Sequence, residues 1–270
     1  MASTTEGSLS RAVQAISGAQ RCVVFSGAGA SADSGIGTFR GAGGAWSGIM
    51  GTLALLWGGT PVGWRWTPAY VWSRFVHDFY TPIAEAEPHA GLTALARLQR
   101  ERFGGAARMQ FVTMNVDALH QAAGSEAVAE VHGSVRRFRC AECGSQAQPP
   151  LPLDAARQPR CEGPGGCGGR VRPDVTLFTE GLPEDQWEAA CQAIGALRRG
   201  DVLLVVGTSS VVYPAASLPS LAKKRGATLI EFNLDLPSPL SDIVDIAVQG
   251  KACETLPQCV DMVLGGRAKS

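Results

Sequence analysis

The sequence predicts an α/β fold, with a doubly wound and mostly parallel sheet into which a smaller lobe is inserted. Two observations indicate this fold: short apolar runs alternate with segments of helical periodicity, and two segments interrupt the alternation. Strands of a parallel sheet are buried on both faces, so they read as continuous apolar runs joined by helical crossovers. The chain has 270 residues, 45% of them hydrophobic, which is enough for one large domain with an insert.

The alternation begins at the N-terminus. Leu9, Val13 and Ile16 recur at helical spacing and predict a helix over residues 8–19, and the apolar run 22–25 that follows ends at a glycine turn. Further apolar runs cover residues 111–112, 202–206, 228–232 and 246–248. Helical patterns lie between them, over residues 92–102, 184–198 and 215–224. The order strand–helix–strand predicts a Rossmann-like sheet.

Two segments break this pattern. Residues 43–88 are rich in Gly, Trp and Pro, and residues 136–171 combine four cysteines with prolines and glycines. We therefore expect residues 1–270 to form a single domain. Its Rossmann-like core is expected at about residues 8–42, 89–135 and 172–260, with a small lobe built from residues 43–88 and 136–171.

The charge balance excludes some classes of partner. Lysine and arginine total 24, as do aspartate and glutamate, so no net charge favours nucleic acid or an anionic membrane. The N-terminus has no basic region followed by an apolar run, and no stretch of about 18 apolar residues predicts a membrane span. We expect a cytoplasmic protein, in which clustered cysteines are metal ligands rather than disulfides.

Four of the eight cysteines have the spacing of a metal site. Cys140 and Cys143 form a C-x-x-C pair, and a looser pair, Cys161 and Cys167, follows after a gap. Two close pairs separated in this way predict a zinc ion held by four thiolates. Such a site has no open coordination position, so the metal is expected to be structural; a catalytic metal, or cysteines without metal, are the alternatives. The isolated cysteines are expected to be small buried side chains.

A glycine-rich turn follows the first predicted strand. Gly27-Ala28-Gly29 leads toward a predicted helix start, where backbone N–H groups can approach a phosphate closely. The third glycine of the usual spacing is replaced by Ala32, so a tight turn without ligand is the alternative. Downstream, Phe39 and Arg40 lie between glycines in a loop that suits a charged ligand, or else a solvated arginine.

Polar side chains stand where later apolar runs end, the edge at which open α/β sheets bind ligands. Asn115 and Asp117 follow the second run, and His132 stands before the cysteine insert. A histidine in a cleft between two lobes suits acid–base catalysis, although a structural role is the commoner outcome for any single histidine. Gly207-Thr208-Ser209 and Asn233 end two further runs, where they suit either helix capping or binding of phosphate and ribose.

Together these strings resemble the sirtuin family of NAD-dependent protein deacylases, closest to its broad-specificity branch. In order along the chain the strings are GAGASADSGIGTFRG, TMNVDALHQAAG, EVHGS, the cysteine cluster, RPDVTLF, GTSS and EFN. They span roughly residues 20–253. The resemblance implies an enzyme that consumes NAD, removes acyl groups from protein lysines and releases nicotinamide and O-acyl-ADP-ribose. It implies acyl-lysine proteins as partners and gives no expectation of oligomeric state.

The resemblance also implies roles for residues of this chain. The catalytic residues would be His132, Asn115 and Asp117, with His132 as the general base. Cofactor contacts would come from Gly27, Ala28, Gly29, Ser31, Phe39, Arg40, Met114, Asn115, Asp117, Gly207, Thr208, Ser209, Asn233 and the backbone near Cys253. The substrate would lie along Val175, Thr176, Phe178, Thr179 and Glu180.

Four positions within the matching strings depart from the family pattern. Met114 stands where the family usually has glutamine, and Gly37 stands where it usually has proline. Thr176 and Thr179 replace the usual valine and glycine of the substrate segment. Because a thioether lacks the donors and acceptor of an amide, ADP-ribosyl transfer or NAD hydrolysis is an alternative activity. A non-enzymatic NAD or ADP-ribose sensor is the second alternative. The residues that mark specificity for acidic acyl groups in one branch of the family have no clear counterparts in this sequence, so desuccinylation is not expected.

Overall fold

The computed structural model describes residues 2–37, 57–163 and 166–265. Its strands are β1 (Cys22–Ser26), β2 (Met109–Thr113), β3 (Val128–Glu130), β4 (Gly133–Cys140), β5 (Gln146–Ala147), β6 (Val171–Val175), β7 (Val202–Val206), β8 (Thr228–Asn233) and β9 (Ile246–Gln249). Its α-helices are α1 (Ala2–Gly18), α2 (Pro61–Trp66), α3 (Pro68–Phe75), α4 (Thr81–Glu85), α5 (Ala90–Glu101), α6 (Leu119–Ala122), α7 (Glu184–Gly195), α8 (Leu218–Lys224) and α9 (Ala252–Gly265).

Within these ranges the larger sheet has six strands in the order β3-β2-β1-β7-β8-β9, and every pairing is parallel. In this register Val24 of β1 lies between Phe111 of β2 and Leu204 of β7. The chain builds outward from β1 in one direction and then from β7 in the other, which is the doubly wound arrangement. The predicted fold class is confirmed, and the order reverses between β1 and β7.

The apolar runs form the centre of this sheet because both faces are covered by helices. Alternate residues of β1 point to opposite faces: Val24 packs with α1, α5 and α9, whereas Val23 and Phe25 pack with α7 and α8. All five residues of β1 and of β7 are buried. The carboxyl ends of these two strands are therefore held in a rigid frame.

Local structure differs from the sequence prediction in three places. The glycine turn is followed by two single 3₁₀ turns, Ala28–Ala30 and Ala32–Ser34, instead of the predicted helix. Strand β3 was not predicted, because its three residues are too short to show periodicity. The predicted helix over residues 215–224 begins as a 3₁₀ turn, Ala215–Ser217, and becomes α8 only at Leu218, with Pro219 in the first turn.

The smaller sheet is antiparallel, with the order β5-β4-β6, and lies between β3 and α7 in the chain. Helices α2 to α4 belong to the other insert, and a π-turn, Val76–Tyr80, joins α3 to α4. Helix α2 starts at Pro61 because the Thr60 hydroxyl accepts a hydrogen bond from Gly63 N–H. None of the helices in the described ranges is long and apolar enough to cross a bilayer.

An aromatic cluster joins these helices to the antiparallel sheet. Its members, which contact each other through tilted rings, are Trp64, Trp72, Phe75, Tyr80 and Phe138. Trp72 is fully buried, and its indole N–H donates to the carbonyl of Asp154 at 2.8 Å. One tryptophan thus packs against β4 and ties α3 to the loop before β6, so residues from both inserts share one core.

We predict that Trp72→Ala lowers the free energy of unfolding by about 3–5 kcal/mol, because it opens a cavity and leaves the Asp154 carbonyl without its donor. Denaturant unfolding measures this change. The matched control is Trp66→Ala, since that side chain is 72% exposed and should cost less than about 0.5 kcal/mol. Similar losses in the two variants would contradict the packing of the lobe around Trp72.

Candidate functional site

Two glycine loops meet where the strand order reverses. After β1, the N–H of Gly29 donates to the carbonyl of Gly207, which follows β7, at 2.8 Å. Gly207 has a φ of +55°, and a Cβ there would lie 2.3 Å from the backbone nitrogen of Ala30. A Cβ at Gly29 would lie 2.8 Å from the Gly207 carbonyl oxygen. Both positions therefore require glycine because of the close approach of the loops.

The loops that follow the strands on either side of the reversal point enclose a crevice, as is usual in open α/β sheets. Asn115 lies on one side of this crevice, two residues after the end of β2. Its side chain is buried, and its amide nitrogen donates to the Gly27 carbonyl at 3.0 Å and to the Ser31 hydroxyl at 2.9 Å. A carbonyl only accepts hydrogen bonds, so the amide orientation is fixed by Gly27. With both N–H groups engaged inside the protein, the Oδ1 atom is the part of Asn115 left for a ligand.

Asp117 lies two residues further on and is also buried. One carboxylate oxygen accepts the N–H of Leu119 at 2.9 Å, which starts helix α6. The backbone carbonyl of Asp117 accepts from the Arg136 guanidinium of β4 at 3.2 Å. Ala118 between them has a φ of +60°, an unfavourable conformation that these flanking bonds hold in place.

His132 follows β3, the strand beside β2, and faces the same edge of the sheet. Its Nδ1 lies 2.9 Å from the carbonyl oxygen of Met114, which can only accept, so Nδ1 carries the proton. Burial lowers the pKa of His132 below its ordinary value, and the hydrogen bond to Met114 opposes this only in part. The imidazole is neutral at physiological pH, with Nε2 free to take up a proton.

The other half of the crevice is formed by the ends of β7 and β8. The Thr208 hydroxyl accepts the N–H of Ser210 at 2.9 Å, and Ser209 is exposed. Asn233 donates to the Thr208 carbonyl at 3.4 Å and to a carboxylate oxygen of Glu231 at 3.0 Å. These contacts make the β7–β8 edge a second polar wall.

Three further residues of the site were not predicted. His89 caps α5 and holds the glycine loop through a 2.8 Å hydrogen bond to the Ala30 carbonyl. Glu231 is buried and orients Asn233, and the Ser238 hydroxyl donates to its second oxygen at 2.8 Å. His120 is buried beneath Asn115, on helix α6. Glu231 stands inside the apolar run 228–232, which was its sequence signal, whereas His89 and His120 stand outside the apolar runs.

The backbone near Cys253 reaches the glycine loop from the opposite side. Its N–H donates to the Asp33 carboxylate at 3.3 Å, which joins the start of α9 to the second 3₁₀ turn. Phe39 and Arg40, which the sequence places in a loop over the cofactor, lie outside the described residues.

The segment after β6 runs beside His132. The N–H of Thr176 donates to the His132 carbonyl at 2.9 Å, and the N–H of Phe178 donates to the Gly59 carbonyl at 2.7 Å. Thr179 has a φ of +77°, the left-handed conformation that favours glycine. Glu180 accepts the N–H of Leu177 at 3.0 Å and is paired with Arg172 at 2.7 Å. The carboxylate of Glu180 therefore fixes the turn that carries Thr179.

The four clustered cysteines meet at one end of the antiparallel sheet. All four sulfur atoms lie within 4.8 Å of one another; Cys140 and Cys167 are 3.4 Å apart, and Cys143 and Cys161 are 3.8 Å apart. Tetrahedral zinc with Zn–S bonds of about 2.3 Å requires S–S separations of about 3.8 Å. Gly169 is required here, because a Cβ would lie 2.7 Å from the Cys140 sulfur. The donor set and spacing fit a closed structural zinc site.

Comparison with known protein families gives one match over the region that contains the glycine loop and the cysteine cluster. The model described as the Sir2 family matches residues 27–214, more than half of the chain. This chain belongs to the Sir2 family. The resemblance to sirtuins is thereby confirmed, and the matched range includes the first glycine loop and the four clustered cysteines.

Curated relatives of this Sir2 protein cover most of its length. A protein of Pyrobaculum aerophilum named NAD-dependent protein deacylase 2 is 43% identical over 248 residues, 92% of this chain and 93% of that relative. A Mycobacterium tuberculosis protein named NAD-dependent protein deacylase is 41% identical over 242 residues, 88% of this chain and 95% of the relative. The comparison therefore extends over nearly the whole of each protein.

Solved structures give the same family. A Sir2 homologue in complex with NAD superposes with a TM-score of 0.82 at 33% identity, covering 95% of this chain and 94% of the other. A structure described as Sir2 with a p53 peptide and NAD⁺ gives a TM-score of 0.77 at 26% identity, covering 96% and 98% of the two chains.

We predict that this Sir2 protein contains about one zinc ion per chain and that Cys143→Ser lowers both zinc content and thermal stability. Removing one thiolate leaves the zinc ion with three protein ligands, so the metal should bind more weakly and stabilise the β4–β6 region less. Metal analysis and thermal unfolding before and after chelation measure this. Cys191→Ser, at a half-buried cysteine outside the cluster, is the control. An unchanged melting curve after verified removal of the metal would count against a structural role.

Proposed function

We propose that this Sir2 protein is an NAD-dependent protein-lysine deacylase that releases nicotinamide and O-acyl-ADP-ribose. The observation that carries the proposal is the fixed tautomer of His132, with Nδ1 bound to the Met114 carbonyl and Nε2 available as a base. This base lies between the glycine crevice and the segment 176–180 that continues β6. The names of relatives at 43% and 41% identity support the same activity.

The crevice between the glycine loops is the proposed NAD site. Gly27, Ala28, Gly29 and Ser31 would hold the pyrophosphate, and Gly207, Thr208, Ser209, Asn233 and the backbone near Cys253 would hold the adenosine half. The fit is supported by the close contact of the two glycine loops at the point where the strand order reverses, which is where open α/β sheets bind nucleotides. When bound, NAD supplies an activated ribose carbon whose leaving group is nicotinamide. Phe39 and Arg40 are proposed to cover it.

Asn115 and Asp117 are proposed to line the nicotinamide pocket. The Asn115 amide nitrogen is committed to Gly27 and Ser31, so Asn115 would offer its Oδ1 to an N–H group or a water molecule. Asp117 has one carboxylate oxygen engaged by Leu119, which holds the side chain in place. Both groups are held before a ligand arrives, and preorganised dipoles of this kind lower the barrier to bond cleavage.

His132 is proposed to be the general base that takes a proton from a ribose hydroxyl. A neutral imidazole whose Nδ1 is held by a carbonyl presents Nε2 as its acceptor. Because burial lowers its pKa, the base stays unprotonated at neutral pH. Its position beside the Thr176 backbone would bring that hydroxyl close to an acyl group lying along residues 176–180.

Protein substrates with acylated lysines are the proposed partners, bound along Val175, Thr176, Phe178, Thr179 and Glu180. Glu180 would act by shaping the turn, since its carboxylate is engaged with Arg172 and Leu177. Thr179 keeps a glycine-like φ but adds a side chain, so the lysine entrance should be narrower than with glycine. We also propose that the protein is located in the cytoplasm. The division into a Rossmann-like core and a small lobe, with the boundaries given in the sequence analysis, is a further proposal.

ADP-ribosyl transfer or NAD hydrolysis is the second candidate function. It is supported by Met114, whose side chain packs against the apolar layer of Val23, Phe25 and Val131 and so offers no polar group to the crevice. A water molecule or another nucleophile would then compete with the acyl oxygen for the ribose. The sensor alternative is disfavoured, since a binding module does not need a histidine held as a base.

Nicotinamide release with and without an acyl-lysine peptide panel separates these functions. We expect release that depends on peptide and is accompanied by O-acyl-ADP-ribose, identified by mass spectrometry. Thr179→Gly should widen the lysine entrance and raise kcat/KM for bulkier acyl groups. Release without peptide, or ADP-ribosylated protein, would support the second candidate instead, and NAD binding without any release would exclude both enzyme activities.

We predict that His132→Ala lowers kcat for acyl transfer by about 10²–10⁴-fold, because the ribose hydroxyl loses its base. In the wild-type protein, activity should fall as pH decreases through the pKa of His132, with a midpoint below 6.5 because burial disfavours the charged form. His77→Ala, at an exposed histidine of the π-turn, is the matched control. Full activity of His132→Ala would overturn the assignment of the base.

A further inference from the structure

A buried imidazole lies beneath the nicotinamide-side wall and takes no part in the proposed chemistry. His120, on α6, is 2% exposed, and its ring centre lies 5.1 Å from that of Phe111. Its Nε2 lies 2.8 Å from the Ser26 hydroxyl, at the end of β1. Its Nδ1 is buried and has no hydrogen-bond partner among the described residues.

The direction of the hydrogen bond between His120 and Ser26 follows from the other partners of the Ser26 hydroxyl. The Ser26 hydroxyl donates to the Thr113 hydroxyl at 2.9 Å, so Ser26 must accept from His120, and Nε2 carries the proton. The same Thr113 oxygen accepts the backbone N–H of Asn115 at 3.1 Å. One chain of hydrogen bonds therefore runs from the imidazole through two hydroxyls to the backbone of Asn115.

The imidazole keeps this arrangement at neutral pH. Burial lowers the pKa of His120 to about 4, and nearby His89 lowers it further in the same direction. A neutral ring with its proton on Nε2 leaves Nδ1 as an unpaired buried acceptor, which costs free energy. An apolar side chain would avoid that cost, so stability alone does not account for histidine at this position.

The chain of hydrogen bonds joins elements that meet below the crevice. Ser26 and Thr113 are paired across β1 and β2, and the residue after Ser26 is Gly27, whose carbonyl accepts the Asn115 side chain. The backbone and the amide of Asn115 are thus anchored from two sides, one of them through His120. A shift of Ser26 or Thr113 would displace the Asn115 Oδ1 that faces the crevice.

We propose that His120 is a positioning residue for Asn115, acting through Ser26 and Thr113 to fix where Asn115 presents its Oδ1 to the nicotinamide side of the crevice. The consequence for catalysis rests on the proposed function, whereas the positioning itself is a property of the protein without ligand. Its failure and the failure of the deacylase assignment are therefore measurable separately.

Amide exchange of the ligand-free protein tests the positioning directly. In His120→Leu, the backbone N–H of Asn115 and its side-chain amide should exchange about tenfold faster, measured by NMR or by mass spectrometry of peptides. His120→Gln restores a donor toward Ser26 and should return exchange close to the wild-type rate. Ser26→Ala removes the hydroxyl that links His120 to Thr113 and leaves the Thr113 oxygen in place, so it should reproduce the faster exchange of His120→Leu. It takes the place of His120→Leu in the test if that variant folds poorly.

Kinetics of nicotinamide release give the second readout. We expect His120→Leu to lower kcat about tenfold, with a small change in KM for the peptide, and His120→Gln to recover most of the loss. The double variant His120→Leu with Thr113→Val should be no slower than either single variant, because both break the same chain. Gln99→Leu, which removes a buried amide bound to Met109 and Glu126, is the control that lowers stability without changing these readouts.

The proposal is overturned if Asn115 exchanges at the wild-type rate in a folded His120→Leu variant, or in Ser26→Ala where His120→Leu does not fold, or if the control variant accelerates exchange equally. Losses that multiply in the double variant would also exclude a shared chain. If the wild-type protein releases no nicotinamide, the deacylase assignment fails while the exchange experiment still decides the role of His120.

Discussion

The contact between the two glycine loops at the reversal point of the sheet is the constraint on which the site depends. The hydrogen bond from Gly29 to Gly207 brings the ends of β1 and β7 together, and no side chain fits between them. Other elements are then attached to the same loop: the Asn115 amide binds the Gly27 carbonyl, and His89 binds the Ala30 carbonyl. The walls proposed for the nicotinamide and adenosine halves of NAD are therefore parts of one hydrogen-bonded unit.

The small lobe reaches this unit through backbone groups. Arg136 of β4 donates to the Asp117 carbonyl and to the Ile83 carbonyl, which links the sheet of the lobe to the crevice and to α4. Strand β6 pairs with β4 and continues into Thr176, whose N–H is bound to His132. A metal at one end of this sheet therefore stabilises, at the other end, the segment beside the proposed base.

The sequence was sufficient to predict the sheet and the residues at its edge, because buried parallel strands and their polar ends leave a local pattern. Asn115 and Asp117 stand directly after an apolar run and His132 stands before the cysteine insert, and the structure places all three at one edge. The partners of His89 and His120 are 59 and 94 residues away, so no local pattern predicts those bonds. The two 3₁₀ turns replace the expected helix because the loop is held by Gly207 and Asn115 instead of by its own helical bonds.

The departures from the family pattern act on side chains while the backbone keeps its role. Met114 binds His132 through its carbonyl, so replacing the usual glutamine leaves the tautomer of the base intact and removes only a polar side chain. Thr179 adopts the left-handed conformation that favours glycine, at a cost of order 1–2 kcal/mol, and Glu180 and Arg172 fix the turn around it. The proposed base is thus held by a backbone carbonyl, and not by the side chain that departs from the family pattern. The departures lie in side chains of the proposed substrate segment and beside the proposed base, so substrate choice is where we expect this protein to diverge from its relatives.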